Sequence, residues 1–556
     1  MKQFKFILLG LFSLLSCQCD FEKNSKQEQA HNSSVISDVP ILMNRLDLPM
    51  ASQKTLVAHF MTGDIDYDFG GRPGGLSRNL DWYKHDGEFS ELGGVNQVAP
   101  MDMFLYKRGE RSLDEVVSQE LRAASVAGIE AFHFYYPEVN HKGFMADYNA
   151  VVESFFRVAS KTYPHFKFTL CLSNANEGLE EDKIERWSES IRNLVESVRS
   201  YDHWLKTPDG RTIFYLWNND ALADDMNHKP WSIDQFPDRI KSVAEAHEKL
   251  AQAIGLEIAY MYDLRFPANH DLSAKVLEYF PGVWTWTDST KHLNDFRRIN
   301  KLCRVKKRDF CLTVYPDYYT SKLYWKDSSK GHSMLSYKDL KTVKVDAVER
   351  HYQNCALSLL YRELFEFALA EDLQWISLAT WNDFPEGHHI APEINHNFVP
   401  MVLMEYYCNQ WKDKELEIKE SISVFYKKYR HDIVPKYDVK IHTKERIGEE
   451  QLEDFIEVVS ILDKPGEIYI NGKFAGEIAT GLQTVKLPSE VGPVSVELRR
   501  GSKPILSLAP PQKIHEQPYR TDRLTYMYSS RFDEYFEKIF GTEKSLPDFL
   551  KSGNTK

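Results

Sequence analysis

Eight short runs rich in β-branched and aromatic residues, each set off from the next by a longer stretch, restrict the fold of this chain more than any other feature. In order they are TLVAHFM, IEAFHFYY, FKFTLCLSN, TIFYLWN, LEIAYMYD, GVWTWTD, FCLTVYP and LQWISLATW. Between them lie segments such as DEVVSQELRAASVAG, which ends at Gly128, and RIKSVAEAHEKLAQAIG, whose apolar residues recur at helical spacing. Strands alternating with helices in this order predict an α/β fold, a (β/α)₈ TIM barrel over residues 56–430, with room for long loops.

Chemistry on a barrel belongs where the strands end. Those ends carry His59, Tyr135 with Tyr136, Asn174 with Asn176 and Glu177, Trp217 with Asn218, Tyr262 with Asp263, Trp286 with Asp288, Tyr315 with Asp317, and Trp381 with Asp383. A rim so uniformly aromatic, carboxylate and amide suits a carbohydrate, because rings stack on the apolar faces of sugars while carboxylates and amides bind hydroxyls. The residues expected to contact substrate are His59, Tyr135, Asn174, Asn176, Trp286, Asp288, Tyr318, Trp381 and His388. For any one of them, packing or loop capping is the competing reading.

The eighth run leads into LATWNDFPEGHHIAPE, where Asp383 and Glu386 stand three residues apart. Glycosidic cleavage needs one carboxylic acid to protonate the leaving oxygen and one carboxylate to activate water or attack, so this pair has the right chemistry. Two other readings compete: an uninvolved pair of loop acids, and a capping box. The box wants Ser or Thr three residues before Glu, and Pro385 with Gly387 works against helix initiation. A metal site would draw on His388, His389, Glu393 and His396, but HHIAPEINH lacks HExxH spacing and contains a Pro, so no metal and no cofactor is expected. In DIDYDFGG, Asp64, Asp66 and Asp68 match the first three EF-hand ligands, while Phe69 and Gly75 occupy the positions that need Gly and Glu.

VAHFM, AGIEAFHF, PGVWTWTD, VYPDYYT, ATWNDFPEGHHI and VELRRGSKPILSLAPP, in that order, resemble glycoside hydrolase family 71, the α-1,3-glucanases or mutanases. The resemblance implies a barrel followed by a β-sandwich, inverting hydrolysis of α-1,3-glucan, and a carboxylate pair at Asp383 and Glu386. NDFPEGHHI is also similar, more distantly, to the Glu-x-x-Glu segment of glycoside hydrolase family 99, the endo-α-mannosidases and mannanases. That likeness implies a base acting on the sugar's own 2-hydroxyl, an acid/base at Glu386, and net retention. In both, Glu386 is the acid and Asp383 the base. The long first loop and the LSNANEG end of the third strand depart from family 71 and imply an altered substrate.

Beyond the barrel, period-two runs with turns such as NGK and RRGS predict a small antiparallel β-sandwich, read as a structural cap rather than a binding module. The expected divisions are a signal at 1–17, a tether at 18–53, the barrel at 54–432, the sandwich at 433–513 and a helical tail at 514–556. MKQFKFILLGLFSLLSC resembles a bacterial lipoprotein signal with Cys17 lipidated, which implies export and a membrane anchor in the cell envelope. The other cysteines show no CxxC spacing and read as small buried residues. A net charge of −12 argues against a nucleic-acid partner and leaves a neutral polysaccharide as the expected one.

Overall fold

The computed structural model describes residues 45–65, 111–138, 142–173, 179–223, 237–287, 289–326, 335, 342–414, 418–436, 439–445, 453–518, 523 and 525–541. All eight expected runs are strands. The first seven are β1 (Thr55–Phe60), β2 (Ala131–Pro137), β3 (Lys167–Ser173), β4 (Thr212–Trp217), β5 (Ile258–Asp263), β6 (Gly282–Trp284) and β7 (Asp309–Val314). An inserted antiparallel pair follows, β8 (Tyr319–Trp325) and β9 (Val348–Asn354), before the last barrel strand, β10 (Trp375–Leu378). The barrel closes in the order β1-β10-β7-β6-β5-β4-β3-β2, with parallel pairing at every seam, so this is a TIM barrel.

Alternation along each strand decides which side chains reach the interior. On β2, Ala131, His133 and Tyr135 point inward, while Phe132, Phe134 and Tyr136 join the layer between barrel and helices. Much of the aromatic content goes into that outer layer: Phe60, Phe132, Phe134 and Phe168 pack around Phe155 of the helix Lys142–Thr162 at ring separations of 4.9–5.9 Å. Each such buried ring stabilises the fold by about 1.5–3 kcal/mol. The helix Leu113–Val126 starts at Ser112, whose hydroxyl accepts the Glu115 amide while the Glu115 carboxylate accepts the Ser112 amide, a complete capping box.

The sandwich is two antiparallel sheets, and it is not bounded as expected. β11 (Ser421–Lys427) already belongs to it. β12 (Lys440–Glu445) leaves it to pair in parallel with β9. β13 (Phe455–Leu462), β14 (Gly466–Ile470), β15 (Lys473–Ile478), β16 (Gly481–Pro488), β17 (Val496–Arg500) and β18 (Lys503–Leu508) follow, and β19 (Thr525–Ser529) completes the set, in the orders β16-β13-β11-β19 and β15-β14-β17-β18. The sandwich thus opens at Ser421 rather than 433 and takes in residues beyond 513. The reason is packing: Ile422, Val424 and Tyr426 enter its core together with Tyr526. The tail expected to be helical is first a strand, because TYMYS pairs with β11, and only then the helix Phe532–Phe540, which returns to the barrel through Gln119 and Arg122. Among the described residues, no helix is long and apolar enough to cross a membrane.

Behind β4 and β5, the buried His247 is held as a neutral ring. Its Nδ1–H donates to the Val243 carbonyl at 2.7 Å, and its Nε2 accepts from the Asn219 amide at 2.9 Å. Burial pushes its pKa down to about 4, against the opposing pull of the Val243 carbonyl. Below the unfolded-state value of about 6.5, the unfolded chain takes up a proton that the folded chain refuses. Stability present above that pH is therefore lost on acidification toward pH 4, by about 3 kcal/mol from this group alone. Melting temperatures of wild type and His247→Gln, followed from pH 8 to about pH 4, are expected to converge as the pH falls. Parallel curves would show that this ring does not contribute to the acid sensitivity.

Candidate active site

The acidic pair occupies the turn after β10. Phe384–Glu386 form a single 3₁₀ turn with Asp383 at its N-cap, and the Asp383 side chain makes no capping hydrogen bond, which removes the capping-box reading. Instead the Asp383 amide donates to Thr380 Oγ1 at 2.7 Å, and both carboxylates are buried. Gly387 has φ 70°, a left-handed conformation that glycine adopts without steric cost, and it reverses the chain so that His388 returns over Glu386. His388 Nε2 then lies 3.3 Å from Glu386 Oε2 and 3.6 Å from Asp383 Oδ2. One oxygen from each carboxylate and a ring nitrogen of His388 all fall within 4.8 Å of one another. From beyond β7, the Tyr318 hydroxyl donates to Glu386 Oε2 at 2.6 Å.

Backbone bonds tie this turn to the end of β1. The Trp381 amide donates to the His59 carbonyl at 2.7 Å. Asn382 accepts the Met61 amide at 2.8 Å and donates to the Met61 carbonyl at 3.1 Å, a two-bond clamp that only a side-chain amide can make. Asn382 was not singled out from the sequence, although its place inside WND was a signal that could have found it. The return strand adds Thr380 N–H to the His388 carbonyl and Ile390 N–H to the Thr380 carbonyl, both at 2.9 Å.

Around the carboxylates the structure assembles a continuous ring-lined wall. Tyr318 packs on His388 at 4.9 Å, His388 meets the edge of Trp286 at 5.9 Å, and Trp286 contacts His59 at 5.0 Å and Trp217 at 5.6 Å. Tyr135 closes the row at 6.1 Å from His59 and 6.3 Å from Trp217. His59, His388, Trp286, Tyr318 and Tyr135 are thus brought together. Burial, reinforced by the neighbouring His388, pushes the pKa of His59 down to about 3. Its ring is therefore neutral, with Nδ1 3.2 Å from His133 Nδ1, and His133 Nε2 bonds Ser377 Oγ at 2.9 Å. This histidine chain links the end of β1 through β2 to Ser377 of β10.

Trp381 is not part of the wall. Its indole donates to Glu120 Oε2 at 2.6 Å and packs on the outward-facing Phe132 at 5.7 Å, so it fastens β10 to the helix Leu113–Val126. Position at a strand end does not determine which way a side chain turns once the strand has stopped at Leu378. Tyr136 and Tyr262 likewise turn outward, bonding Asn149 and Asp220. Asn174, Asn176, Asp288, Cys17 and the acidic positions Asp66 and Asp68 lie outside the described residues. The histidine-rich segment divides in two: His388 joins the carboxylates, whereas His389 contacts Phe384, Glu393 and His396. The five cysteines of the described residues are buried.

No protein-family model matches the chain, and no curated protein matches it. Among solved structures, the family 99 endo-α-mannosidase of Bacteroides thetaiotaomicron is similar, with 11% identity, covering 65% of this chain and 98% of that one, at a TM-score of 0.42. A glycoside hydrolase-like protein has 11% identity over 66% of this chain and 96% of that chain, with a TM-score of 0.40. The endo-β-1,4-mannanase of Thermotoga petrophila has 8% identity over 72% and 94%, with a TM-score of 0.38. At such values the likeness carries no argument about activity.

Proposed function

We propose that this protein is a glycoside hydrolase that cleaves an α-linked polysaccharide with net retention, using Glu386 as acid/base and Asp383 as its partner base. The supporting observation is the closeness of the two carboxylates, whose nearest described atoms, together with His388, lie within 4.8 Å. Inverting enzymes need a carboxylate and its water on the face of the sugar opposite the acid, with the carboxyl groups about 6.5–9.5 Å apart. Two acids on one turn are also poorly placed to clasp a sugar ring from opposite faces. They are well placed to act on the glycosidic oxygen and the adjacent 2-hydroxyl.

In that chemistry Glu386 gives its proton to the leaving oxygen while Asp383 takes the proton of the 2-hydroxyl, and the freed 2-oxygen displaces the leaving group at the anomeric carbon. Water then opens the three-membered ring from the other side, Glu386 accepts the proton of that water, and Asp383 returns its proton to the 2-oxygen. Two inversions leave the configuration unchanged. His388 and Tyr318, both bonded to Glu386 Oε2, orient the acid. Trp286, Trp217 and Tyr135 form the stacking surface for the ring. This is the family 99 type of reaction, for which an α-mannan is the substrate implied by the motif. The family 71 motifs imply α-1,3-glucan with inversion instead. Proton NMR of the mature protein digesting each polymer separates the two: an α-anomer released first is expected, and a β-anomer would overturn the retaining assignment.

The lipoprotein-like N-terminus supports export and an anchor in the cell envelope through a lipidated Cys17, and the net charge of −12 supports polysaccharide rather than nucleic acid as the partner.

A further inference from the structure

Immediately behind the candidate active site lies a second cluster that neither the carboxylate chemistry nor the core explains. His389, Glu393 and His396 are fully buried, with at most 1% of their surface exposed. All four ring nitrogens of the two histidines are buried without a hydrogen-bond partner. The rings lie face to face, 5.1 Å between centroids and 23° from parallel, and each has a nitrogen within 3.8 Å of the Glu393 carboxylate. Leaving several buried polar atoms unsatisfied costs about 1–3 kcal/mol each, so such a group calls for an explanation.

The spacing supplies one. His389 Nε2 is 3.8 Å and His396 Nδ1 is 3.6 Å from the same oxygen, Glu393 Oε1, and one donor atom from each residue lies within 4.8 Å of the others. Direct hydrogen bonds would bring these atoms to about 2.7–3.2 Å. Donors bound at about 2.0–2.2 Å to one tetrahedral cation stand about 3.4 Å apart, close to the observed edges. We propose that His389, Glu393 and His396 bind one divalent transition-metal ion, with zinc the best match to two imidazoles and a carboxylate.

The surroundings supply what such a site needs beyond its three donors. The Glu393 carboxylate is already aimed, since Oε2 accepts the Asn395 amide at 2.7 Å and the Asn395 side chain at 2.9 Å, and Oε1 also accepts the His396 amide. Asp317 Oδ2 stands 3.5 Å from His396 Nε2, on the far side of the ring from Glu393. A hydrogen bond closed across that gap would fix the tautomer that leaves Nδ1 as the donor to the metal, the usual carboxylate–histidine–zinc arrangement. Asp317 comes from the segment after β7, so the ion would pin the 384–398 segment to a neighbouring barrel strand. Glu386 and His388 sit on that same segment. The missing HExxH spacing does not weigh against the site, because these ligands come from an irregular loop rather than one helix face.

Elemental analysis of the full-length protein, produced without a histidine tag in zinc-supplemented medium and dialysed, is expected to find about one zinc per chain. Stripping with dipicolinic acid is expected to lower the melting temperature, and added zinc to restore it. His389→Ala and His396→Ala should lose the metal, whereas His388→Ala should keep it. No zinc above background in the wild type, together with a melting temperature indifferent to both chelator and zinc, would overturn the proposal. Both readouts use the wild-type protein, so a variant that fails to fold leaves the test intact.

Discussion

Glu386→Gln is expected to lower kcat on a natural polysaccharide by about 10²–10⁴, the usual worth of a positioned general acid, while substrate binding and melting temperature hold. Glutamine keeps an oxygen that can accept from the Tyr318 hydroxyl at the 2.6 Å contact and from His388, so the turn keeps its bonds and only the transferable proton is lost. The decisive comparison uses two leaving groups. An alcohol leaving group needs protonation, whereas a nitrophenolate departs without it, so the defect should shrink sharply on an aryl glycoside. A loss of equal size on both substrates would mean that Glu386 does not act as the acid.

The barrel was legible because each strand announced itself twice, by β-branched and aromatic enrichment and by a helical stretch after it. The alternation even sorts His133 and Tyr135 inward from Phe134 and Tyr136 outward. What it could not show is orientation past a strand's last residue. Trp381 follows β10 by three residues and turns to Glu120, while Asn382 beside it clamps Met61, and nothing in the local pattern separates those fates. SISVFYK posed a different difficulty: period two places it in a sheet without saying which sheet, and only packing with Ile456, Val458 and Tyr526 assigns it to the sandwich. The sandwich does touch the site segment: the Met527 amide of β19 donates to the Asn395 carbonyl at 2.7 Å, and the Met527 carbonyl accepts from the Asn397 side chain at 2.8 Å. HHIAPEINH lacks HExxH spacing, but that spacing describes a helix face, and here the segment between Gly387 and the helix Val399–Trp411 is irregular, so linear spacing does not show that His389, Glu393 and His396 converge.

Asp383→Asn is expected to lower kcat by a similar ~10²–10⁴, but with the opposite dependence on leaving group. Its role is to take a proton from the substrate's 2-hydroxyl, and that step is needed whether the leaving group is an alcohol or a nitrophenolate. The defect should therefore persist on the aryl glycoside that relieves Glu386→Gln. The Asp383 amide still bonds Thr380 Oγ1 in this variant, so the turn stays in place and the loss reports on the carboxylate. A 2-deoxy substrate should silence the wild type to the same extent, and combining it with Asp383→Asn should cost nothing more, because both changes delete the same proton transfer. If the 2-deoxy substrate is turned over normally while Asp383→Asn is inactive, the 2-hydroxyl is not the nucleophile and Asp383 attacks the anomeric carbon itself, so that retention would proceed through a covalent glycosyl-enzyme.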